Sequence, residues 1–283
     1  MLLAQVFYGL SASIGDSLAL SDHGLMTEMV ESGSTSKYEE PEALSILGVK
    51  VHSLTTEQAL GLVRRYMAEP RLHQLATVNP EFVMKAQRDA AFRQTLNKAD
   101  LCLPDGIGLL VAAKWLGHSL PERVAGSDFV YQVAEEAANN GWRLFLLGAA
   151  PGVADQAAGV FQSLYPDLEI AGTYPGSPAL EENDALVARV NESKADILYV
   201  AYGAPAQDLW IARNAETLEN VRLAIGVGGS LDFVTGSVVR APHWIQRFGL
   251  EWFYRLVREP WRWRRMLALP QFAYRVLMSR FRN

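Results

Sequence analysis

The sequence predicts an α/β protein in which a Rossmann-like, mainly parallel sheet carries helices on both faces. From Ile46 onward, short runs of β-branched residues and leucine alternate with longer amphipathic stretches, as a parallel sheet requires. Glycine and proline fall at the junctions between the two kinds of segment. With 283 residues, of which 49% are apolar and 20% charged, the chain can bury the core of one large domain or two small ones.

Six short apolar segments have the length and composition of strands. They are Leu72–Val78, Leu101–Leu103, Arg143–Gly148, Ile170–Thr173, Ile197–Tyr202 and Leu223–Val227. Helical windows lie between them, with apolar residues three or four positions apart. These windows are Pro80–Leu96, Gly106–Leu116, Ser127–Asn139, Gly152–Leu164, Glu181–Asn191 and Pro205–Leu218. In such sheets ligands bind at the carboxyl ends of the strands, so chemistry is expected in the loops that follow them.

Two flanking regions differ from the core, which we expect to span residues 45–239. Residues 1–44 are rich in Ser, Gly, Asp and Glu and are predicted to be a loosely ordered leader. The start of this leader lacks the basic region of a secretory signal. No run of about 18 apolar residues occurs, so a membrane-spanning helix is not expected.

The C-terminal appendage, defined as residues 240–283, is basic and rich in tryptophan. Its ten arginines and two acids give it a net charge of +8, so the first 239 residues carry −13 of the total of −5. The acidic body argues against nucleic acid as a partner, whereas the appendage suits an anionic membrane surface. Arg255, Arg262 and Arg265 share one face if the helix axis is continuous, although Pro260 begins a new helix or kinks one. The alternative to a membrane contact is a packing helix whose tryptophans fill a core and whose arginines are solvated, and the sequence favours neither.

Cysteine and histidine content excludes several kinds of site. The single Cys102 rules out a disulfide framework and a CxxC pair for zinc or redox chemistry. The five histidines are too scattered for an HExxH-type metal face. A reducing cytoplasm is therefore expected, and no cofactor or metal is predicted.

Asp105 is the first candidate for chemistry because it follows a predicted strand and precedes Gly106 and Gly108. An ionised carboxylate in this position can take the proton of an attacking hydroxyl. The alternative is an N-cap for the helix that follows, and the residues alone slightly favour the cap.

Other strand-end loops hold polar residues that can contact a sugar. The side chains of Thr77 and Asn79 point the same way and can hydrogen-bond a hydroxyl, although Asn before Pro also signals a turn. Gln207 is a plausible sugar contact, and Arg123 is either a phosphate contact or a solvated surface residue.

Glycines in these loops allow a diphosphate to approach the backbone. Gly148 begins a loop that opens a helix, where free N–H groups would meet a phosphate. This loop matches neither GxGxxG nor the P-loop pattern. Gly203, Gly228 and Gly229 are further substrate-binding candidates, and at each of these positions a tight turn is the alternative.

Six motifs, in order over residues 46–265, resemble the WecG/TagA/CpsF glycosyltransferases, family 26. They are TVNP (77–80), ADLCLPDG (99–106), RVAGSD (123–128), GAPAQDLWI (203–211), GVGGSLDF (226–233) and RAP with GLEW (240–242 and 249–252). Any one motif alone would be weak. The six together, in sequence order, make the resemblance specific.

The resemblance implies an inverting, metal-independent hexosyltransferase that moves a sugar from a UDP-sugar to a polyprenyl-diphosphate-linked sugar. It places the enzyme in cell-surface polysaccharide synthesis, peripheral on the inner face of the cytoplasmic membrane. N-acetylmannosamine is the expected donor sugar, with glucose or a uronic acid as alternatives. Oligomeric state stays open, with a homo-oligomer among the options.

The resemblance also assigns residues. It makes Asp105 the base and places Thr77, Asn79, Arg123 and Gln207 in the pocket. It assigns the lipid diphosphate to Arg255, Arg262 and Arg265. Many members have lysine where Ala206 stands, so a phosphate contact from that position is not expected here.

The residues themselves agree with a metal-free reaction. No Asp-x-Asp pair occurs, so a metal-dependent route has no obvious ligands, and helix N-termini and arginines must then stabilise the leaving group.

Two other classes of function stay open. A nicotinamide-dependent oxidoreductase would use the loop at Gly148, but the glycine spacing is wrong. A noncatalytic membrane adaptor would use only the basic appendage.

Overall fold

The computed structural model describes residues 41–238, 241–242, 245, 251–258, 260 and 263–280. The predicted leader therefore lies outside the described residues except for its last four. The first strand begins at Ala43, two residues before the expected start of the core.

A small antiparallel hairpin precedes the main sheet. Its strands are β1 (Ala43–Ile46) and β2 (Val49–His52). Leu47 and Gly48 join them with φ values of +51° and +81°, as a two-residue hairpin turn with two left-handed positions requires. This hairpin was not among the elements predicted from the sequence.

The main sheet has six strands, and all of its neighbouring strands are parallel. Their spatial order is β4-β3-β8-β7-β5-β6. The strands are β3 (His73–Val78), β4 (Leu101–Pro104), β5 (Leu144–Gly148), β6 (Ile170–Tyr174), β7 (Ile197–Ala201) and β8 (Leu223–Gly226). All six correspond to predicted strands, so the predicted parallel sheet is confirmed.

Helices cover the sheet and fill the C-terminal region. They are α1 (Thr56–Met67), α2 (Pro80–Ala86), α3 (Ala90–Lys98), α4 (Ile107–Trp115), α5 (Gly126–Asn140), α6 (Val153–Leu164), α7 (Asn183–Ser193), α8 (Ala206–Asn214), α9 (Ser230–Val234), α10 (Glu251–Arg258), α11 (Trp263–Met266) and α12 (Ala268–Ser279). None of the helices in the described ranges combines the length and apolarity that crossing a bilayer requires.

Alternating strand residues build a core on each face of the sheet. In β7, for example, Tyr199 packs among α1, α5 and α6, whereas Leu198 and Val200 pack among α7 and α8. A third cluster joins α2, α3, α4 and α12 with the hairpin. Both faces are therefore covered, which explains why these strands are apolar throughout.

The predicted helix Pro80–Leu96 is wrong in one respect, because the structure divides it into α2 and α3. The Asp89 carboxylate accepts a hydrogen bond from the Phe92 N–H at 2.9 Å and caps α3. A side chain that satisfies the N–H groups of a new first turn starts a second helix there. Helix α1, which was not predicted, carries a reciprocal capping box between Thr55 and Gln58 that would have revealed it.

The chain order creates a crevice at the carboxyl edge of the sheet. The connection after β5 leads outward to β6, whereas the connection after the adjacent β7 leads the other way to β8. Loops that diverge from neighbouring strands leave room for a ligand between them.

In the appendage, α12 docks on the body through Phe272 and Val276, which are buried in the cluster with α2 and α4. Helix α10 ends at Arg258 and α11 begins at Trp263, with Pro260 in a 3₁₀ turn between them. The placement of Arg255, Arg262 and Arg265 on one helix face stays a prediction. Arg262 and the side chain of Arg255 lie outside what the structure describes.

Candidate active site

A cavity of about 890 Å³ lies at the carboxyl ends of the parallel strands. Loops after β3, β4, β7 and β8 form one part of its wall, and helices α4 and α12 form another. The predicted site residues that line it are Thr77, Asn79, Asp105, Arg123, Gly203, Gln207, Gly228, Gly229 and Arg265. Residues from separate segments of the chain thus meet in one place.

Asp105 lines this cavity immediately after β4. Its backbone N–H donates to the Val78 carbonyl at 2.7 Å, which anchors the loop to the neighbouring strand β3. The N-cap of α4 is Gly106, with φ +103°, and no side chain caps that helix. The N-cap interpretation of Asp105 is therefore wrong, because a glycine that tolerates positive φ occupies the cap position.

Asn79 has the capping role that its position before Pro80 suggested. Its Oδ1 accepts a hydrogen bond from the Phe82 N–H at 3.0 Å at the start of α2. Asn79 also lines the cavity, so one residue serves both the helix and the pocket wall. Beside it, Thr77 lies so close to Gly126 that a Cβ there would come within 2.8 Å of Thr77 Cγ2. Glycine thus lets the start of α5 approach β3.

Gln207 is buried and holds the glycine loop after β8. Its Oε1 accepts a hydrogen bond from the Gly228 N–H at 2.9 Å. A Cβ on Gly226 would lie 2.5 Å from Gln207 Nε2, so only glycine leaves room for the amide. Gln207 therefore positions this part of the cavity wall.

Gly148 does not line the cavity, and in its loop only Ala149 does. Gly148 has φ +100°, and a Cβ on it would lie 2.9 Å from the Ala201 carbonyl carbon. The structure thus accounts for this glycine by its close packing against β7. A diphosphate contact at Gly148 stays a prediction.

Four helices begin at the cavity without a hydrogen bond to the side chain of their N-cap residue. They are α4, α5, α8 and α9, and residues at or beside the first turn of each line the cavity. By contrast, α1, α2 and α3 are each capped by a side chain. Uncapped N–H groups and the positive end of the helix dipole favour an anion, such as a diphosphate.

An ion-pair cluster joins α2 to the appendage at the edge of the cavity. Arg265 Nε and Nη2 donate to the two carboxylate oxygens of Glu81, each at 3.0 Å. Lys85 Nζ lies 3.1 Å from Glu81 Oε1 and donates to the Ala204 carbonyl at 2.8 Å. Burial alone would raise the pKa of Glu81, but Arg265 and Lys85 outweigh it and hold that pKa below its usual value. Glu81 is therefore ionised and keeps Arg265 at the cavity.

Among the polar lining residues that were not predicted from the sequence are Glu81, Lys85, Tyr202 and Asp232. Each lies within eight residues of the end of a strand, which is the signal that could have found them. Burial raises the pKa of the Tyr202 hydroxyl, so this group stays neutral. Among the residues that the structure describes, no group of three or more His, Cys, Asp or Glu side chains is arranged to hold a metal ion.

Known proteins that are similar to this chain belong to the family that the six motifs resemble. The sequence model of the family described as "Glycosyl transferase WecG/TagA/CpsF family" matches residues 44–283. A Bacillus subtilis (strain 168) protein is 36% identical over 203 residues, which cover 72% of this chain and 78% of the relative. A Staphylococcus aureus (strain MRSA252) protein is 30% identical over 239 residues, which cover 84% and 93% respectively. Both relatives are named N-acetylglucosaminyldiphosphoundecaprenol N-acetyl-beta-D-mannosaminyltransferase.

Proposed function

The chain belongs to the WecG/TagA/CpsF family of glycosyltransferases, and on that premise we propose that it transfers N-acetylmannosamine from a UDP-sugar to a sugar on a polyprenyl diphosphate. The names of the relatives support this donor sugar and a lipid acceptor that carries N-acetylglucosamine. The resemblance drawn from the six motifs is confirmed. The oxidoreductase and adaptor alternatives are set aside, because the family is one of hexosyltransferases.

The position of Asp105 in the cavity is the observation that carries the mechanism. Its carboxylate takes the proton of the acceptor hydroxyl while the hydroxyl oxygen attacks the anomeric carbon of the donor sugar. The bond between that carbon and the diphosphate oxygen breaks, and UDP leaves with the electron pair. Attack from the face opposite the leaving group inverts the configuration at the anomeric carbon.

The charge that develops on the leaving diphosphate needs stabilisation. The N-termini of α4, α5 and α8 lie at the cavity and direct the positive ends of their helix dipoles there, and Arg123 supplies positive charge. Preorganised donors and cations of this kind stabilise a developing anion without a metal ion. Metal independence is thus part of the proposal.

We further propose that the appendage rests on the inner face of the cytoplasmic membrane. Exposed aromatic and aliphatic side chains on α10 and α11 (Trp252, Phe253, Val257 and Trp263) lie among exposed arginines. An apolar helix face flanked by arginine is typical of peptides that lie in the headgroup region of anionic bilayers. A peripheral enzyme in this position would meet a lipid-linked acceptor.

The first experiment is a transfer assay with a panel of UDP-sugars and a short-chain lipid-diphosphate-GlcNAc acceptor, with and without EDTA. Replacing the base by the isosteric Asp105→Asn is expected to lower kcat about 10² to 10⁴-fold with little change in donor affinity. Asp232→Asn is the matched comparison, because this carboxylate lines the same cavity. The Asp232→Asn variant is expected to lose less activity than the Asp105→Asn variant.

Three outcomes would contradict parts of the proposal. Absence of transfer with every donor would reject the assigned reaction. Transfer that EDTA abolishes would reject the metal-free mechanism. Equal losses of turnover and donor binding in Asp105→Asn would reject its role as the base.

A further inference from the structure

The cavity extends beyond its polar part into an apolar groove between α4 and α12. The charged lining residues that the structure describes belong to the loop after β4, the loop between α4 and α5, and helices α2, α9 and α11, and neither α4 nor α12 contributes one. The cavity therefore has a charged part next to the proposed base and an apolar part that leads away from it.

Helix α4 supplies one wall of this groove through Ile107, Val111 and Trp115. These residues are four positions apart and so share one helix face, which extends about 12 Å at 1.5 Å per residue. They are 41%, 62% and 38% exposed, although all three are apolar. The face begins two residues after Asp105, so an apolar strip starts beside the reacting group.

Helix α12 supplies the opposite wall. Phe272 and Val276 are buried and hold the helix against α2 and α4. Ala273 and Leu277, one position further along in each case, also line the cavity. At Ala273 the side chain that α12 presents to the cavity is a single methyl group.

The wall formed by α12 is held to the body at both of its ends. Near the reacting group, the Glu81–Arg265 pair holds α11, which leads into α12. At the far end, Arg280 Nη1 donates to the Trp115 carbonyl at 3.0 Å, and its guanidinium lies 5.3 Å from the centre of the Trp115 ring. The width of the groove is thus set by contacts within the protein itself.

We infer that this groove binds the first isoprenoid units of the acceptor lipid while its sugar reaches Asp105, an inference that rests on the proposed function. The order of chemical groups matches along the cavity. A sugar hydroxyl would meet Asp105, the diphosphate of the acceptor would lie near Arg265, and the chain would follow the apolar face of α4. A groove with two walls that continues from the reaction cavity favours a single chain over a bilayer surface.

The test measures how acceptor KM depends on lipid length in detergent solution. GlcNAc-diphosphate acceptors with a methyl group, one isoprenoid unit or three units are compared. For the wild type, the acceptor KM is expected to fall about tenfold or more from the methyl acceptor to the acceptor with three isoprenoid units. The reason is that the groove removes the added apolar surface of the longer chain from water. The Val111→Gln variant is expected to lose most of that gain.

The matched control is Leu164→Gln, at the end of α6, which replaces an apolar side chain that is 54% exposed and outside the cavity lining. It is expected to keep the full gain with chain length. A Val111→Gln variant that also kept the full gain would overturn the groove assignment. The assignment would fail equally if this variant lost only vesicle binding, because the strip would then be a bilayer contact.

A second measurement does not depend on catalysis. A prenyl diphosphate that carries a diazirine on its chain is irradiated with the protein, and the labelled peptides are identified. Label in 107–115 and 268–279 supports the groove, and label confined to other segments overturns it. If the enzyme transferred no sugar but these peptides were labelled, the proposed reaction would fail and the lipid site would stand.

Discussion

Among single residues, His52 couples the stability of the fold to pH. Its Nδ1 accepts a hydrogen bond from the Cys102 backbone N–H at 2.8 Å, which ties β2 to β4. Only a neutral ring can accept at this nitrogen. Burial, with a smaller effect from the charge of Lys50, lowers the pKa of His52 to about 4.

We expect the free energy of unfolding to decrease as the pH falls from about 6.5 to about 4. In this window the unfolded state binds a proton at His52 and the folded state does not, so acid favours unfolding. The contribution of this residue is on the order of 3 kcal/mol, because its pKa falls from 6.5 to about 4 on folding. Urea unfolding at a series of pH values measures it.

His52→Gln should flatten that pH dependence, and His118→Gln, at an exposed position, is the control. Burial also lowers the pKa of His73, although Asp100 opposes the change, so part of the slope should remain in the His52 variant. An unchanged slope in His52→Gln would show that this ring does not control the acid sensitivity.

Among the elements, the contact between α2 and the appendage matters most for the site. Phe272 and Val276 supply its apolar part, and the Glu81–Arg265 pair supplies its polar part. The apolar contact fixes where α12 lies. The ion pair fixes where a cation stands relative to the cavity, which apolar packing alone does not do.

We expect Glu81→Gln to raise the acceptor KM several-fold with little change in stability, because the exposed Arg265 would no longer be held at the cavity. An exposed ion pair contributes only about 0–1 kcal/mol to folding. The matched control is Glu136→Gln, on the far side of the sheet. It removes a carboxylate that accepts hydrogen bonds from Arg64 Nη2 at 2.7 Å and from Arg64 Nε at 2.9 Å. Steady-state kinetics and thermal unfolding of both variants separate the two effects.

If both variants changed the acceptor KM equally, or if neither did, the positioning role of Glu81 would be rejected. The charge reversal Glu81→Arg with Arg265→Glu tests a different explanation. If this double variant recovered a low acceptor KM, the ion pair between α2 and α11 would matter more than a positive charge at position 265.

On the scale of the whole molecule, charge is divided between two regions. The first 239 residues carry −13 and the appendage carries +8. An acidic body is repelled by anionic lipid, whereas the appendage is attracted to it. This division would orient the enzyme with the appendage toward the membrane.

We therefore expect binding to anionic vesicles that weakens as salt is raised from about 0.1 M to 1 M, since the Debye length falls from about 10 Å to about 3 Å. Replacing Arg258 and Arg264 by Gln should weaken binding further. The control replaces Arg189 and Arg213, which are equally charged and exposed on α7 and α8. Sedimentation with vesicles of neutral and anionic lipid measures both pairs. Equal losses in the two pairs would contradict an oriented contact.

The sequence by itself determined the sheet and the loops that hold the site. Apolar runs bounded by glycine and proline located all six strands of the main sheet, because that pattern is local in the chain. Since parallel strands end at one edge, the residues that follow them, such as Thr77, Asp105 and Gln207, were expected to meet. The structure brings them to one cavity.

Tertiary structure alone decided what depends on distant partners. Whether Asp105 or Gly106 occupies the cap position depends on how the loop is anchored to Val78. Glu81 and Arg265 are 184 positions apart, and the groove between α4 and α12 exists only because α12 packs back onto the body. Periodicity reports which face of a helix is apolar but not which element covers it, since that choice is made by packing between segments that are remote in sequence.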